Sequence, residues 1–388
     1  MTWQKKVLGE IADLSLGKML DGKKNKGTPR PYLANINVRW GEFDLQNLRQ
    51  MRFENGEMER YGLKCGDIVM CEGGVPGRCA VWKEALPGMM IQKALHRIRA
   101  RDCIDHKFLY YSFLYKQKTN AFASLFTGAT IHHLPLQNLG KLEIEFPKLA
   151  TQLRIVDVLS AYDDLIEVNH RRIAVLEEMA RRLFDEWFVH LRFPGHEDFR
   201  SLKTKDGTLP EGWHLGKLGD LLSLSYGKAL RADTRVPGAV PVIGSSGIVG
   251  WHNVQLIDGP AIVLGRKGNV GSVIWSDAGC FPIDTVFYVE TAEPLRFIFQ
   301  LLQWQKFLNS DSAVPGLNRT GALQTVVLIP PASLTHRYAQ SVEAMLLQVN
   351  ILSNSNKILS ASRDLLLPRL ISGELSITEA ERELDAAA

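Results

Sequence analysis

The chain has 388 residues, of which 45% are hydrophobic, 9% aromatic and 23% charged. These fractions are ordinary for a folded protein and exclude collagen-like and wholly disordered chains, and the length predicts two or three domains. The net charge is only +4, but residues 1–147 hold 22 lysines and arginines against 15 acidic residues. This local excess is compatible with a polyanionic partner.

The cysteines and the apolar runs indicate where the chain works. Five cysteines are present, an odd number without a CxxC pair, which favours reduced thiols over a disulfide framework or a metal site. No stretch approaches 18 uninterrupted apolar residues, and the N-terminus lacks the apolar region of a signal peptide. We therefore expect a cytoplasmic protein with no membrane partner and no bound metal.

An internal repeat organises the sequence. Residues 3–20 recur at 213–230, where Trp3 matches Trp213 and Gly17-Lys18 matches Gly227-Lys228. Further along, Phe146-Pro147 returns as Ile329-Pro330, at an offset of 183. Repeats of this kind mean a repeated structural unit, so the sequence predicts two related domains at 1–147 and 213–330.

Within these domains, short β-branched runs alternate with Gly, Pro and Asn, which is typical of strands. The runs at 67–70, 261–264, 272–275 and 286–289 predict strands, and 108–116 and 295–308 predict helices. Each domain is therefore expected to be α+β. Residues 191–212 are interpreted as a linker and 376–388 as a tail.

Two long helices are predicted by apolar residues spaced alternately four and three apart, the pattern of a coiled-coil seam. The first helix lies within 148–190, and its seam consists of Ile155, Leu159, Tyr162, Ile166, Asn169, Ile173, Leu176, Ala180, Leu183 and Trp187. The second lies within 331–375, and its seam consists of Val342, Met345, Val349, Leu352, Asn356, Leu359, Arg363 and Leu366. The first helix is expected to end before Pro194 and the second at Pro368.

These elements predict an α+β fold with two globular domains in tandem, separated and joined by two long antiparallel coiled-coil helices. Such an arrangement has a pseudo-two-fold axis, as duplex DNA does, and therefore suits a two-part, asymmetric DNA site. Asn169, flanked by Ile166 and Ile173, is expected to fix the register of the helices. Asn356 and Arg363 weaken the second seam.

Two glycine loops look like nucleotide-binding loops but lack the required residues. The run Gly265–Gly271 has no Gly-Lys-Ser/Thr ending, and Gly73–Gly77 has no lysine. The sequence also lacks the Asn/Asp-Pro-Pro-Tyr/Phe tetrapeptide of adenine methyltransferases. We interpret both loops as turns between strands. Arg266 and Lys267 either reach DNA phosphates or are incidental charges on a solvated turn.

Candidate DNA-binding residues are those that match base edges or phosphates: asparagine for adenine, arginine for guanine and lysine for phosphate. In the first domain they are Lys18, Lys23, Lys24, Asn35, Asn37, Arg39, Thr130, His132 and His133. In the second they are Lys228, Ser245, Ser246, Arg266, Lys267, Asn318 and Arg319. The alternative for each is a charged loop or an edge strand without a ligand.

The long helices carry a family resemblance. The run from Asp163-Asp164-Leu165-Ile166 through Leu183-Phe184-Asp185-Glu186-Trp187-Phe188 to Arg192-Phe193-Pro194-Gly195 resembles the central conserved region of type I restriction-modification specificity subunits. The run Arg363-Asp364-Leu365-Leu366-Leu367-Pro368-Arg369-Leu370-Ile371-Ser372-Gly373-Glu374-Leu375 is similar to the same family's closing motif. The two domains would then be target-recognition domains.

The resemblance implies a non-catalytic subunit that reads a bipartite double-stranded DNA target. Two modification subunits would dock on the helices, with the seam residues as candidate contacts, and methylate adenine using S-adenosylmethionine. Two restriction subunits would complete a complex that cleaves DNA with ATP and magnesium. No cofactor is expected on this chain itself. A stand-alone two-headed DNA-binding regulator and a fused restriction enzyme remain alternatives.

Overall fold

The computed structural model describes residues 3–22, 25–128, 130–198, 201–204, 207–307 and 316–376, together with positions 379 and 382. The chain divides into two compact units, one of Met1–Val168 with Ser355–Ala388 and one of Asn169–Asn354. Both divisions fall inside long helices, so each unit combines one α+β domain with a segment of each helix. In the described part of the chain, no helix is long and apolar enough to cross a membrane.

The first unit opens with a domain of strands and short helices. In chain order these are β1 (Gln4–Val7), α1 (Leu8–Ile11), β2 (Ala12–Leu16), β3 (Thr28–Leu33), β4 (Arg49–Phe53), α2 (Met58–Tyr61), β5 (Ile68–Cys71), β6 (Cys79–Val81), β7 (Met90–Ile91), β8 (Leu95–Ala100), α3 (His106–Lys118), α4 (Leu136–Leu139) and β9 (Glu143–Phe146). The long helix α5 (Leu149–Phe184) follows and continues into the second unit.

The second unit adds a domain built in the same way. Its elements are β10 (Ser201–Thr204), β11 (Gly207–Pro210), β12 (His214–Lys217), α6 (Leu218–Leu221), β13 (Ser223–Tyr226), β14 (Val240–Gly244), β15 (Gly247–His252), β16 (Ala261–Gly265), β17 (Val273–Ser276), β18 (Phe281–Pro282), β19 (Val286–Glu290), α7 (Leu295–Trp304), α8 (Arg319–Leu323), β20 (Val326–Ile329) and the long helix α9 (Ala332–Ile371).

Sheet topology confirms the predicted repeat. The first domain has sheets of order β2-β8-β5-β6, β4-β3-β7 and β1-β9; the second has β13-β19-β16-β17, β15-β14-β18 and β12-β20. Directions agree as well, because β3 pairs with β7 in parallel as β14 does with β18. The predicted strands at 67–70, 261–264, 272–275 and 286–289 correspond to β5, β16, β17 and β19.

The segment 191–212, interpreted as a linker, contains the antiparallel hairpin β10-β11. Two expectations about helix ends are wrong. Helix α7 ends at Trp304, four residues early, because the chain turns extended at Gln305 and Phe307 packs on the core beside Gly271. Pro368 lies inside α9, which continues to Ile371. Proline leaves the carbonyl of Asp364 without its helical donor, and Lys118 Nζ lies 3.5 Å from that oxygen.

The predicted seams are confirmed by burial. All of the named seam positions on α5 and α9 are buried or half-buried, whereas Leu165, Val175 and Leu365 on other faces are exposed. In the first unit the helix segments run antiparallel: Asp163 meets Arg363, and Asn356 donates to the carbonyl of Ile166, at 3.5 Å. The same seam closes the first core, where Leu159 and Leu366 pack together with Leu8.

The polar seam residues of the first unit are partnered. Arg363 Nη1 donates to Asp163 Oδ1, at 2.5 Å, and its other nitrogens donate to Asp364. Asp163 also accepts from the hydroxyl of Tyr111, at 2.7 Å. Burial acts to lower the pKa of Arg363, but the hydrogen bonds to both aspartates raise it overall. Arg363 therefore stays charged and ties the helix segments to α3.

In the second unit the seam ends in an aromatic cluster. Residues Asp185–Val189 form a π-helical turn in which the amide of His190 donates to the carbonyl of Asp185. The wider turn accompanies the burial of two consecutive aromatics, Trp187 and Phe188, both of which pack on Tyr338 of α9. The hydroxyl of Tyr338 donates to the carbonyl of Ala180, at 3.0 Å.

Candidate nucleic-acid interface

The two glycine loops are confirmed as turns between antiparallel strands, β5-β6 and β16-β17. They have the same backbone: Gly77 N donates to Cys71 O at 3.0 Å, and Gly271 N donates to Gly265 O at 2.9 Å. Gly74 and Gly268 lie at φ +77° and +76°, a conformation that favours glycine. Each loop therefore stands at a corresponding sheet end in its own domain.

In the first domain, the loop brings together residues that are far apart in sequence. A Cβ on Gly74 would lie 2.8 Å from Asn35 Nδ2, and one on Gly73 would lie 3.2 Å from His133 Nδ1. Arg78 Nη2 donates to the carbonyl of Asn35, at 2.9 Å, and so fixes the chain there. We call Asn35, Gly73–Gly77 and the segment Thr127–His133 the first edge.

Thr127 and His133 exchange two backbone hydrogen bonds, of 2.8 and 2.9 Å, which bring the two ends of this segment together. Thr130, His132 and His133 are exposed, and the His132 ring stacks on Phe126 at 5.9 Å between centroids. These three side chains are therefore accessible to a ligand. Among the described residues, no group of three or more His, Cys, Asp or Glu could hold a metal ion.

Other sequence candidates of the first domain lie elsewhere. Lys18 is only 3% exposed, and its ammonium donates to Arg52 O at 2.9 Å and Glu57 Oε2 at 2.5 Å. Asn37 is also buried and caps its own turn, accepting from Ala34 N and donating to Asp44 O. Both residues serve the fold, so we leave them out of the interface.

Arg39 is exposed but turned back, with Nη1 donating to the carbonyl of Ile36 at 2.5 Å and Nη2 3.7 Å from Asp44. Lys23 and Lys24 lie outside the described residues.

A buried histidine supports the first edge from below. His96 Nε2 lies 2.7 Å from Leu134 O, and burial lowers the pKa of His96 to about 4, so the ring is neutral near pH 7 and donates from Nε2.

In the second domain, the loop again gathers distant residues. Ser272 Oγ donates to Ser245 O at 2.8 Å, and a Cβ on Gly268 would lie 3.1 Å from Ser245 Oγ. Leu317 N donates to Arg266 O at 2.8 Å, which brings the start of α8 to the loop. We call Ser245–Ser246, Gly265–Gly271 and Asn318–Arg319 the second edge.

Side chains of the second edge divide into structural and accessible ones. Asn318 is the N-cap of α8 and accepts from Gly321 N at 3.0 Å. Ser246, Lys267, Arg319 and Lys228 are exposed. Tyr226, which is not among the candidates predicted from the sequence, is an exposed aromatic residue at the end of β13 and lies under two arginines. Its only sequence signal was the position just before the repeated Gly227-Lys228.

Comparisons with known proteins agree with this organisation. The family model described as "Type I restriction modification DNA specificity domain" matches residues 1–178 and 210–349. The type I restriction enzyme MjaIX specificity subunit of Methanocaldococcus jannaschii is 24% identical over 378 residues, covering 87% of this chain and 86% of that protein. The HindI specificity subunit of Haemophilus influenzae is 30% identical over 88 residues, covering 23% and 17%.

A solved structure supports the fold. The crystal structure of a type I restriction-modification S subunit from M. genitalium superposes with a TM-score of 0.57 at 19% identity, covering 95% of this chain and 96% of that one. The comparisons give no support to a stand-alone regulator or a fused restriction enzyme. Because the family model covers both domains, the chain belongs to the type I restriction modification DNA specificity family and is a non-catalytic DNA-recognition subunit.

Proposed function

We propose that the chain reads a bipartite, asymmetric double-stranded DNA target, one part with each edge. The observation that carries this proposal is the duplicated domain, in which the same loops occupy the same sheet ends but present different side chains. The first edge offers Asn35 and exposed histidines, whereas the second offers serines and cations. Different side chains on the same backbone suit two different half-sites, because hydrogen bonds to base edges specify the DNA sequence.

The helices are proposed to dock the modification subunits, but through faces other than the seam. Seam residues such as Leu159 and Leu352 are buried within the chain, so the outward faces of the helices are better candidates for subunit contacts than the seam. On α9, exposed apolar residues recur at heptad spacing on a different face: Leu347 and Ile351 in the second unit, Ile358 and Leu365 in the first.

Helix α5 has a similar outward stripe. Leu165 and Val168 in the first unit and Val175 and Met179 in the second are 42–58% exposed. Exposed apolar residues at this spacing are typical of helices that pack against further helices. The partner proposed for these stripes is the adenine methyltransferase subunit, of which two copies would match two units of like construction.

The chemistry is assigned to the partners. S-adenosylmethionine would bind to the modification subunits, and ATP and magnesium to two restriction subunits in the full complex. This chain would recognise the target sequence. It would work in the cytoplasm, where the cell's DNA lies.

Domain exchange tests the recognition role. Residues 213–330 are replaced by the matching domain of a relative with a known target, and methylated adenines are mapped by single-molecule sequencing in cells that carry the complete system. We expect one half of the methylated motif to change and the other to stay. A motif that changes in both halves, or in neither, contradicts one edge per half-site.

Charged substitutions test the docking stripes. The double variant Leu347→Asp, Ile351→Asp should lose co-purification with the modification subunit, because a carboxylate in an apolar contact is costly to desolvate. Leu86→Asp, at a 38% exposed leucine of the first domain, is the matched control and should retain the partner. A stoichiometric complex with the folded double variant, checked by circular dichroism, would refute docking on this face.

A further inference from the structure

An exposed aromatic ring marks the second edge. Tyr226 is the last residue of β13 and is 49% exposed. Its strand partner on β19 is Phe287, whose ring centroid lies 5.0 Å from that of Tyr226. The tyrosine is thus supported from the core side and open to solvent on the other.

Two guanidinium groups lie over this one ring. Arg266 Cζ is 5.1 Å from the centroid of Tyr226 and 5.8 Å from that of Phe287. Arg319 Cζ is 5.8 Å from the same Tyr226 ring. Arg266 is further fixed by its Nη1, which donates to Asp284 O at 3.2 Å, and by its backbone N, which donates to Thr285 O at 2.9 Å.

The two arginines lack a counter-charge within the described part of the chain. No carboxylate of those residues forms an ion pair with Arg266 or Arg319, although Arg231 and Arg296 of the same unit each have one. Like charges gathered on one platform repel each other, and an anion between them relieves the repulsion. Guanidinium forks match the paired oxygens of a phosphate.

The first edge has none of these groups at the matching positions. Leu16 pairs with His96 on β2-β8 as Tyr226 pairs with Phe287 on β13-β19. Leu134 N donates to Glu72 O at 2.8 Å, as Leu317 N does to Arg266 O, so Glu72 stands where the second domain has Arg266. Two residues beyond these leucines, the first domain has Leu136 and the second has Arg319.

We propose that Tyr226, Arg266 and Arg319 form a clamp for one phosphodiester of the DNA backbone beside the half-site read by the second domain. The proposal rests on the DNA-reading function proposed above and adds which groups position the duplex. Tyr226 is a positioning residue, since it holds both guanidiniums without needing to touch DNA. A phosphate is favoured over a base because a guanine edge occupies a single arginine fork, whereas the clamp gathers two.

The test uses the specificity subunit assembled with its modification subunits. Binding is measured by fluorescence anisotropy over a series of salt concentrations, on a duplex with the methylated motif and on a scrambled duplex. The variants are Arg266→Gln, Arg319→Gln and their double, and Arg60→Gln is the control. Arg60 is an exposed arginine 5.2 Å from the Tyr61 ring in the first domain, so it matches the stacking without a second guanidinium.

Phosphate contacts predict a specific pattern. Each clamp variant should weaken binding to both duplexes by a similar factor and reduce the slope of log K against log salt by about one, while Arg60→Gln leaves both unchanged. The methylated motif should stay the same. An unchanged slope and affinity would overturn the clamp, and so would relaxed specificity at one base pair, since that would mean base reading.

A separate test distinguishes a positioning role of Tyr226 from a merely structural one. Tyr226→Phe keeps the ring and should bind as the parent does, whereas Tyr226→Leu, the residue type at Leu16, should weaken binding in the parent but not in the arginine double variant. Equal losses in both backgrounds would overturn the positioning role. A parent complex that shows no preference for the motif duplex would refute the proposed function itself, whereas a parent with normal preference and insensitive variants would refute only the clamp.

Discussion

Where the first domain carries Glu72 after β5, the second carries Arg266 after β16, and the buried Lys18 of the first corresponds to the exposed Lys228 of the second. Yet the glycines of both loops have the same backbone conformation, and the sheets have the same strand order. The two loops therefore differ in their side chains although they share a backbone conformation. A backbone that is held by close contacts can carry different side chains at its exposed edges. Two domains that recognise two different DNA sequences require this property.

The helix seams differ between the units too. Asp163 and Arg363 of the first unit correspond, at the offset of 183 that relates the repeats, to Leu346 and Ala180 of the second. The first seam is thus crossed by an ion pair, whereas Ala180 is fully buried and Leu346 packs on an apolar core. The two units should respond differently to pH and salt.

Large losses of stability are expected at the glycines that pack against backbone at matching positions of the two domains. A Cβ on Gly17 would lie 2.3 Å from Gln92 O, and one on Gly227 would lie 2.1 Å from Ile283 O. Gly17→Ala and Gly227→Ala should each lower the free energy of unfolding by about 1–3 kcal/mol, because backbone atoms cannot move aside cheaply. Gly56→Ala, with open space around it, is the control. If urea titrations show a loss of unfolding free energy for only one of the two variants, the two glycines are not structurally equivalent.

The two repeated lysines should behave in opposite ways. Lys18→Gln removes an ammonium from a buried site and leaves the Glu57 carboxylate without its partner, so we expect a loss of about 1.5–3 kcal/mol in stability. Lys228→Gln, at an exposed position, should change stability by less than about 0.5 kcal/mol. Chemical denaturation followed by circular dichroism measures both. Equal losses would mean that the two lysines share a structural role.

Low pH should weaken the hydrogen-bonded ion pairs in the polar seam of the first unit. Burial acts to raise the pKa of Asp364, but hydrogen bonds from Lys118 and Arg363 lower it overall. Because the folded pKa lies below the unfolded one, this stabilisation is present above about pH 4 and is lost as the pH falls through the folded value. Asp364→Asn should therefore melt below the parent at pH 7, and the two melting temperatures should converge as the pH falls below the folded pKa of Asp364. A constant difference would contradict the linkage.

A small, salt-dependent effect is expected where each domain meets its helix. Lys83 Nζ lies 2.5 Å from Glu167 in the first unit, and at the matching positions Asn350 Nδ2 donates to Asp277, at 2.8 Å. Lys83 and Glu167 are 60% and 44% exposed, so Lys83→Ala should cost only about 0.2–1 kcal/mol, a loss that high salt removes. Asn350→Ala should show little salt dependence. Similar salt responses would remove this distinction between the units.

The sequence predicted what depends on periodicity and repetition. The seams followed from the four-three spacing, because a helix that buries one face must repeat apolar residues on it, and the duplicated domain followed from matching landmarks. The coiled-coil helices and the strands at β5, β16, β17 and β19 were therefore found. That partner subunits dock on the outward stripes of these helices stays a prediction.

Residue environments set by distant contacts could not be predicted. Lys18 looks like a surface lysine, and only Glu57 and Arg52, more than 30 residues away, show that it is buried. Asn37 differs, because its partners are close in sequence: the asparagine is buried and bonds to the backbone of its own loop, a turn that the sequence pattern did not reveal. Tyr226 went unnoticed because its arginines come from positions 40 and 93 residues further along the chain.

The division of the chain into units has a consequence for synthesis. The second unit is one continuous segment, Asn169–Asn354, whereas the first needs Ser355–Ala388 to join Met1–Val168. Leu366, Leu367, Leu370 and Leu375 complete the core that contains Leu8 and Phe108. During synthesis, the core of the first unit therefore stays incomplete until these C-terminal leucines leave the ribosome. The second unit, which ends at Asn354, can complete its fold earlier.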